Sequence, residues 1–239
     1  MVASYFLSTL FLLCLMLAGL FMAQQASQRQ GQHVSRLSRL SALESRRSQV
    51  HQTARALQQM DTDGEVLALL YGSLLDDLHM IKTLDPVRAD LEKQIKEAET
   101  ASKQTSSGNA KAGSSAAVAT EEELTMTQRH IQRAMKIFVS MYKSDKISAS
   151  QYQSCRDKLR MLGLRVAVNS CLLMAQRAVD SEDAVKAMSC FRRAESFLSM
   201  KGLPGAEIAE KRSYIKAERE KVISLSEAGR GLLLMATQE

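Results

Sequence analysis

Apolar residues recur along most of this chain at helical steps of three and four, and two stretches break that rhythm. The first is the run ASYFLSTLFLLCLMLAGLFMA, from Ala3 to Ala23, which holds no charged residue. A run of about 20 apolar residues matches a hydrocarbon core of about 30 Å at about 1.5 Å per residue, so it predicts a transmembrane anchor over 3–23. A cleaved signal peptide fits less well. No Lys or Arg precedes the core, the core is too long, and a cut after Ala23 would put Phe21 where a small residue is needed. Cys14 lies mid-run and does not read as an acylation cysteine.

Residues 24–60 are rich in Gln, Ser and Arg, with a thin apolar stripe. Leu43, Val50 and Leu57 are seven apart, Leu40 and Ala54 partly fill a second seam, and Arg47 interrupts it. This predicts a basic juxtamembrane helix or stalk, with a short coiled coil and a homodimer through 34–60 as the expectation its stripe allows. After Asp61-Thr62-Asp63-Gly64, the positions Leu67, Leu70, Leu74, Leu78 and Ile81 predict a helix that Asp85-Pro86 ends. A second helix starts there, with Val87, Leu91, Ile95 and Ala98 on one face. Residues 61–99 thus form a helical hairpin, and 61–103 carry ten acids against five bases.

The second break is 100–120, TASKQTSSGNAKAGSSAAVAT. Small polar residues cannot bury enough surface to offset the entropy of ordering, so this stretch reads as a disordered linker. Beyond it, residues 121–239 predict a C-terminal antiparallel helical bundle that folds without the rest. Thr120 with Glu123 forms a capping box, followed by Leu124, Ile131, Met135, Phe138 and Tyr142. A helix from about Ser148 carries Tyr152, Cys155, Leu159, Leu162, Val166, Leu173 and Val179. Ser181-Glu182-Asp183 opens the next, with Val185, Met188, Phe191 and Leu198 inward. Lys201-Gly202-Leu203-Pro204 is a stop. A last helix over 205–227 carries Ile208, Ile215, Val222 and Leu225, and 232–235 form an apolar tail expected to pack back.

Within that bundle, 168–201 resembles a single tetratricopeptide repeat. Small Ala175 and Ala187, then Phe191 and Ala194, occupy the packing positions, whereas Cys171, Ala178 and Ser199 depart from the pattern. A shift of about 34 residues either way gives no second match. The resemblance implies antiparallel helix packing and partner binding, and covers one helical pair.

Composition agrees with an all-α chain: Pro is 2, Gly 11 and Trp absent among 239 residues, with no alternating run of β-branched residues. Charge adds orientation. No base precedes the apolar run, while Arg29, Arg36, Arg39, Arg46, Arg47 and Arg55 follow it. Basic residues stay on the cytoplasmic side, which predicts the amino terminus outside and the remainder cytoplasmic, as at a bacterial inner membrane. Arg29, Arg36, Arg39, Arg46 and Arg47 set that topology and are candidate contacts to anionic head groups. Cys155, Cys171 and Cys190 form no CxxC pair and read as buried, reduced thiols.

The search for chemistry yields little. Asp76-Asp77-Leu78-His79 reads as a solvated face, and His33, His51 and His130 show no ligand spacing. No phosphate loop, nucleophile elbow or glycine fingerprint is present, so neither catalysis nor a cofactor or metal is expected. The 13 methionines read as core before groove. Net charge is +6, with fourteen bases and nine acids in 121–203. Arg129, Arg133, Lys136 and Lys143 fall on one helix face, Arg156, Lys158, Arg160 and Arg165 cluster on the next, and Arg192 and Arg193 lie on the third. Arg129, Arg133, Lys136, Arg192 and Arg193 are the candidate partner or phosphate contacts. The function expected is a single-pass, membrane-anchored adaptor or scaffold that binds a protein partner. The alternative is a tether for nucleic acid or anionic lipid, although no nucleic-acid reading motif accompanies the charge.

Overall fold

The computed structural model describes residues 34–60, 62–106 and 117–236, with the isolated helical positions 21 and 24, and side chains as far as residue 224. The described residues form seven helices and no strand. These are α1 (34–58), α2 (Gly64–Leu84), α3 (Asp90–Ser106), α4 (Glu121–Lys143), α5 (Ala149–Asp180), α6 (Ala184–Leu198) and α7 (Gly205–Ala236). Apart from Phe21, the anchor expected over 3–23 lies outside the described residues, and among those described no helix is long and apolar enough to cross a membrane.

Side chains at the helix starts explain where the helices begin. Asp63 accepts a hydrogen bond from the Glu65 amide (2.9 Å), and Asp183 from that of Lys186 (2.9 Å). Thr120 with Glu123 and Ser148 with Gln151 form complete capping boxes, which satisfy amides that an α-helix leaves unpaired. α4 and α5 each end in a Schellman motif. Lys146 N–H donates to the Met141 carbonyl (3.0 Å) and Asp183 N–H to that of Ala178 (2.8 Å). The left-handed positions in these motifs are held by Asp145 (φ 54°) and Glu182 (φ 59°).

Two apolar clusters organise the chain, and they do not divide it at 100–120. The first joins Val50, Ala54 and Leu57 of α1, the inner faces of α2 and α3, and also Ile131, Ala134, Phe138 and Met141 of α4 with Cys155 and Leu159 of α5. The second joins Leu124 to residues 166–178 of α5, to α6, and to Ile215 and Val222 of α7. α5, about 48 Å long at the usual rise, contributes its first half to one cluster and its second half to the other. The stripe on α1 expected to be free for pairing is therefore occupied within the chain from Val50 to Leu57.

Several expectations are corrected. α3 starts at Asp90, not at Pro86, which leaves Val87 exposed in the α2–α3 loop instead of on the apolar face. α3 then runs on to Ser106, into the stretch read as a linker, with Thr105 buried. A Cβ at Gly64 would lie 2.5 Å from the Thr105 carbonyl oxygen, so α2 and α3 touch backbone to backbone where the linker was expected. Residues 107–116 lie outside the described residues. Val118 is held by a bond from its amide to the Ser170 hydroxyl (3.0 Å). Val185 is exposed, and Tyr142 points outward to stack on Tyr152 at 5.1 Å. α7 continues as helix to Ala236, so 232–235 prolong it and form no separate tail.

Candidate basic groove and the placement of the predicted contacts

α1 and α4 face each other across a groove of about 160 Å³ lined by Arg46, Gln49, Arg133, Lys136, Ile137 and Ser140. On α4 these residues fall at helical steps, so the face opposite Ile131, Ala134 and Phe138 carries the cations. Ile137 supplies the apolar floor and packs against the first cluster.

Arg46 is anchored from beneath. Its Nε lies 3.2 Å from Oδ2 of Asp77, which is buried on α2. That oxygen accepts no hydrogen bond, and the Ser73 hydroxyl one turn earlier is likewise buried without a partner. Burial pushes the Asp77 carboxyl above its ordinary range, opposed by the Arg46 and Lys146 charges. The solvated-face reading of Asp76-Asp77-Leu78-His79 is thus overturned for Asp77. It occupies the stripe of Leu70, Leu74, Leu78 and Ile81, and only Asp76 and His79 face solvent. Asp76 pairs with Lys146 at 2.5 Å.

The remaining groove cations differ. Among the described residues neither Arg133 nor Lys136 forms an ion pair, and both are exposed. His130, one turn before Arg133, has a buried Nδ1 with no partner. Burial, and then the Arg133 charge, hold its imidazole below the usual pKa.

Elsewhere the expected basic clusters are partly neutralised, with Lys143 and Arg160 exposed and in no ion pair among the described residues. Lys158 pairs with Asp63 (3.1 Å) and Glu65, Arg156 with Asp157 (3.6 Å), and Arg165 grips Glu207 with bonds of 2.9 to 3.1 Å. Arg193 pairs with Glu121, while Arg192 is exposed. Arg129 is exposed with its guanidinium 3.9 Å from the Met126 sulfur. Of the candidate membrane contacts, Arg29 lies outside the described residues. Arg36 donates to the Leu84 carbonyl, Arg47 donates to Gln94, and Arg39 is exposed. The structure therefore brings Arg133 and Lys136 together with Arg46, and leaves Arg192 and Arg193 apart from them. Gln49 and Asp77 were missed. For Asp77 the signal was its position on the α2 stripe.

A second cavity, about 320 Å³, opens among α1, α2 and α3, with Arg47, His51, Gln94 and Glu97 at a floor of Leu74 and Leu78. Burial pushes the Cys155 and Cys171 thiols up to about 11 and raises Cys190, so these sulfurs are protonated at neutral pH. Among the described residues no group of three or more His, Cys, Asp or Glu is placed to hold a metal ion. No protein-family model, curated protein or solved structure matches this chain.

Proposed function

We propose that the chain is a membrane-anchored, cytoplasm-facing adaptor whose helical body binds an acidic surface of a partner protein at the α1–α4 groove, without catalysis. The observation that carries this reading is the contrast in pairing. On α5, Arg156, Lys158 and Arg165 are spent on Asp157, Asp63 with Glu65, and Glu207, while Arg160 is exposed without an ion pair among the described residues and does not line the groove. Arg133 and Lys136 are unpaired and also lie beside an apolar floor. Unpaired arginine next to apolar surface is the usual make-up of a protein-binding patch, and complementary charge speeds and orients the encounter. The anchor rests on the uncharged run 3–23 and the orientation on the bases that follow it.

The test is capture from membranes with the whole chain intact. Arg133→Glu with Lys136→Glu should abolish recovery of a specific partner, and Arg192→Glu should leave it unchanged. Nucleic acid is the second reading, favoured by the +6 charge. If the chain binds duplex RNA or DNA with a steep salt dependence, and Arg133→Glu with Lys136→Glu abolishes that while protein capture persists, the adaptor reading fails.

A further inference from the structure

We infer that the end of the first bundle formed by the start of α1 and the α2–α3 loop lies in the interface of a lipid bilayer, with Val87 as its inserted side chain. This rests on the anchor reading above and adds a second contact between the same chain and the membrane.

α1 and α2 run antiparallel, and the bond from Arg36 to the Leu84 carbonyl fixes which ends meet. Residues 34–37, 80–84 and the 85–89 loop therefore share one end. Val34 is 61% exposed there, Leu37 63%, Met80 51% and Val87 89%. Single exposed apolar residues are ordinary on any soluble surface. Here four belong to segments at one end, and Val87, behind the rigid Pro86, is the most exposed large apolar residue among those described. Of the rest, Phe21 belongs to the apolar run, and Met126, Tyr142, Val185, Met200, Tyr214 and Ile223 are distributed over α4, α6, α7 and the α6–α7 turn.

Chain length selects the occupant. Ten residues separate Ala23, the end of the apolar run, from Val34. Ten residues span at most about 36 Å even when fully extended. An anchored chain thus keeps this end within about 36 Å of the lipid surface, whereas nothing in the chain tethers it to a partner protein.

Charge shows how the contact works. This end carries Arg36, Arg39, Lys82, Arg88 and Lys93 among Glu44, Asp85, Asp90 and Glu92, a near balance. Lys82 pairs with Glu92 (3.1 Å), and Arg88 with Asp90 (3.0 Å) and with Glu44. Attraction to anionic head groups is therefore not the driving term, and burial of apolar surface is. The Arg36 guanidinium also satisfies a terminal carbonyl of α2, a group that is costly to leave bare near hydrocarbon.

The chain has no tryptophan, so one introduced residue reports alone. Val87→Trp, Met80→Trp and, as the distant control, Val185→Trp would each be made in the full chain and reconstituted into phosphatidylcholine vesicles containing chain-brominated lipid. Val87→Trp and Met80→Trp should show blue-shifted emission and several-fold stronger quenching than Val185→Trp, unchanged by high salt and without anionic lipid. If neither is quenched above the control while the chain still resists carbonate extraction, the interfacial contact is overturned and the anchor stands. Quenching that needs phosphatidylserine and disappears in salt overturns apolar insertion as the cause. Extraction of the unmodified chain by carbonate overturns the anchor and this contact with it.

Discussion

Asp77 on α2 and Arg46 on α1 meet with Oδ2 and Nε 3.2 Å apart, the carboxylate buried and the guanidinium half exposed. Desolvating a carboxylate is costly, and removing its partner leaves that cost uncompensated. Arg46→Met should therefore destabilise the chain by about 1–3 kcal/mol, the range for a stranded buried polar group. In an Asp77→Asn background the same change should cost much less. Urea melts of the four proteins give the coupling, and additive effects would mean that the two groups do not sense each other.

The same pair sets a pH dependence. Burial is the largest influence on Asp77 and raises its pKa, so between the ordinary value of about 3.9 and that raised value the folded state holds the proton more tightly than the unfolded state. Stability from this group is fully present below the unfolded pKa and is lost as pH rises through the folded pKa. Asp77→Asn keeps the shape and removes the titration. Its stability relative to the parent should rise as the pH increases above about 4. A parent that instead gains on the variant as pH rises would show that Arg46 and Lys146 outweigh burial.

The shared core predicts what happens when the chain is cut. A fragment from Thr120 to Glu239 would bare Ile131, Phe138, Met141, Cys155 and Leu159, which bury against α1, α2 and α3. Its segment 162–222 should keep protected amides, because before α5 that cluster takes only Leu124 and the partly buried Val118, and the cut removes only Val118. The second half of α4 and the first half of α5 should exchange quickly and be cleaved by trypsin. Protection over 131–159 as strong as in the full chain would refute a shared core.

What could be read in advance was local. The capping box at Thr120 and Glu123, the start at Ser148 and the buried face through Ala187, Phe191 and Ala194 all follow from neighbours within one turn. Val87 and Val185 were misplaced because each sits at a helix entrance, where periodicity cannot say whether the first turn has reached the core. α3 outlasts its apolar stripe because its end packs on the backbone at Gly64, a contact 41 residues distant that leaves no trace in residues 100–106. The α1–α4 groove was half visible. The spacing of Arg133 and Lys136 put them on one face, but a stripe does not name its partner helix, so Arg46 read as a lipid contact.

Glu182 holds a left-handed backbone (φ 59°) at the end of α5. Its amide donates to the Val179 carbonyl (3.0 Å), and the next amide, of Asp183, to that of Ala178. A side chain in this conformation costs about 1–2 kcal/mol, and glycine escapes it while raising the entropy of the unfolded chain, which offsets part of the gain. Glu182→Gly should therefore stabilise the chain by about 0.5–1 kcal/mol. A lower melting temperature for the variant would mean that the Glu182 side chain has a stabilising role that its exposure conceals.

Phe191 is buried between Ala187 and Ala194 on α6, where small residues one turn to either side let α5 approach closely and the ring fills the gap. Truncating such a ring removes its transfer energy and leaves a cavity, typically costing about 3–5 kcal/mol. A domain's whole stability is about 5–15 kcal/mol, so Phe191→Ala should unfold the second cluster or lower its melting point severely. Arg192→Ala, one residue on and exposed, should change stability by no more than about 0.5 kcal/mol. Val185→Ala belongs with Arg192→Ala, although its position in the α6 periodicity suggested otherwise. Circular dichroism melts of the three variants decide the matter. If Val185→Ala proves as costly as Phe191→Ala, the first turn of α6 is buried in solution and the packing of α6 described above is wrong.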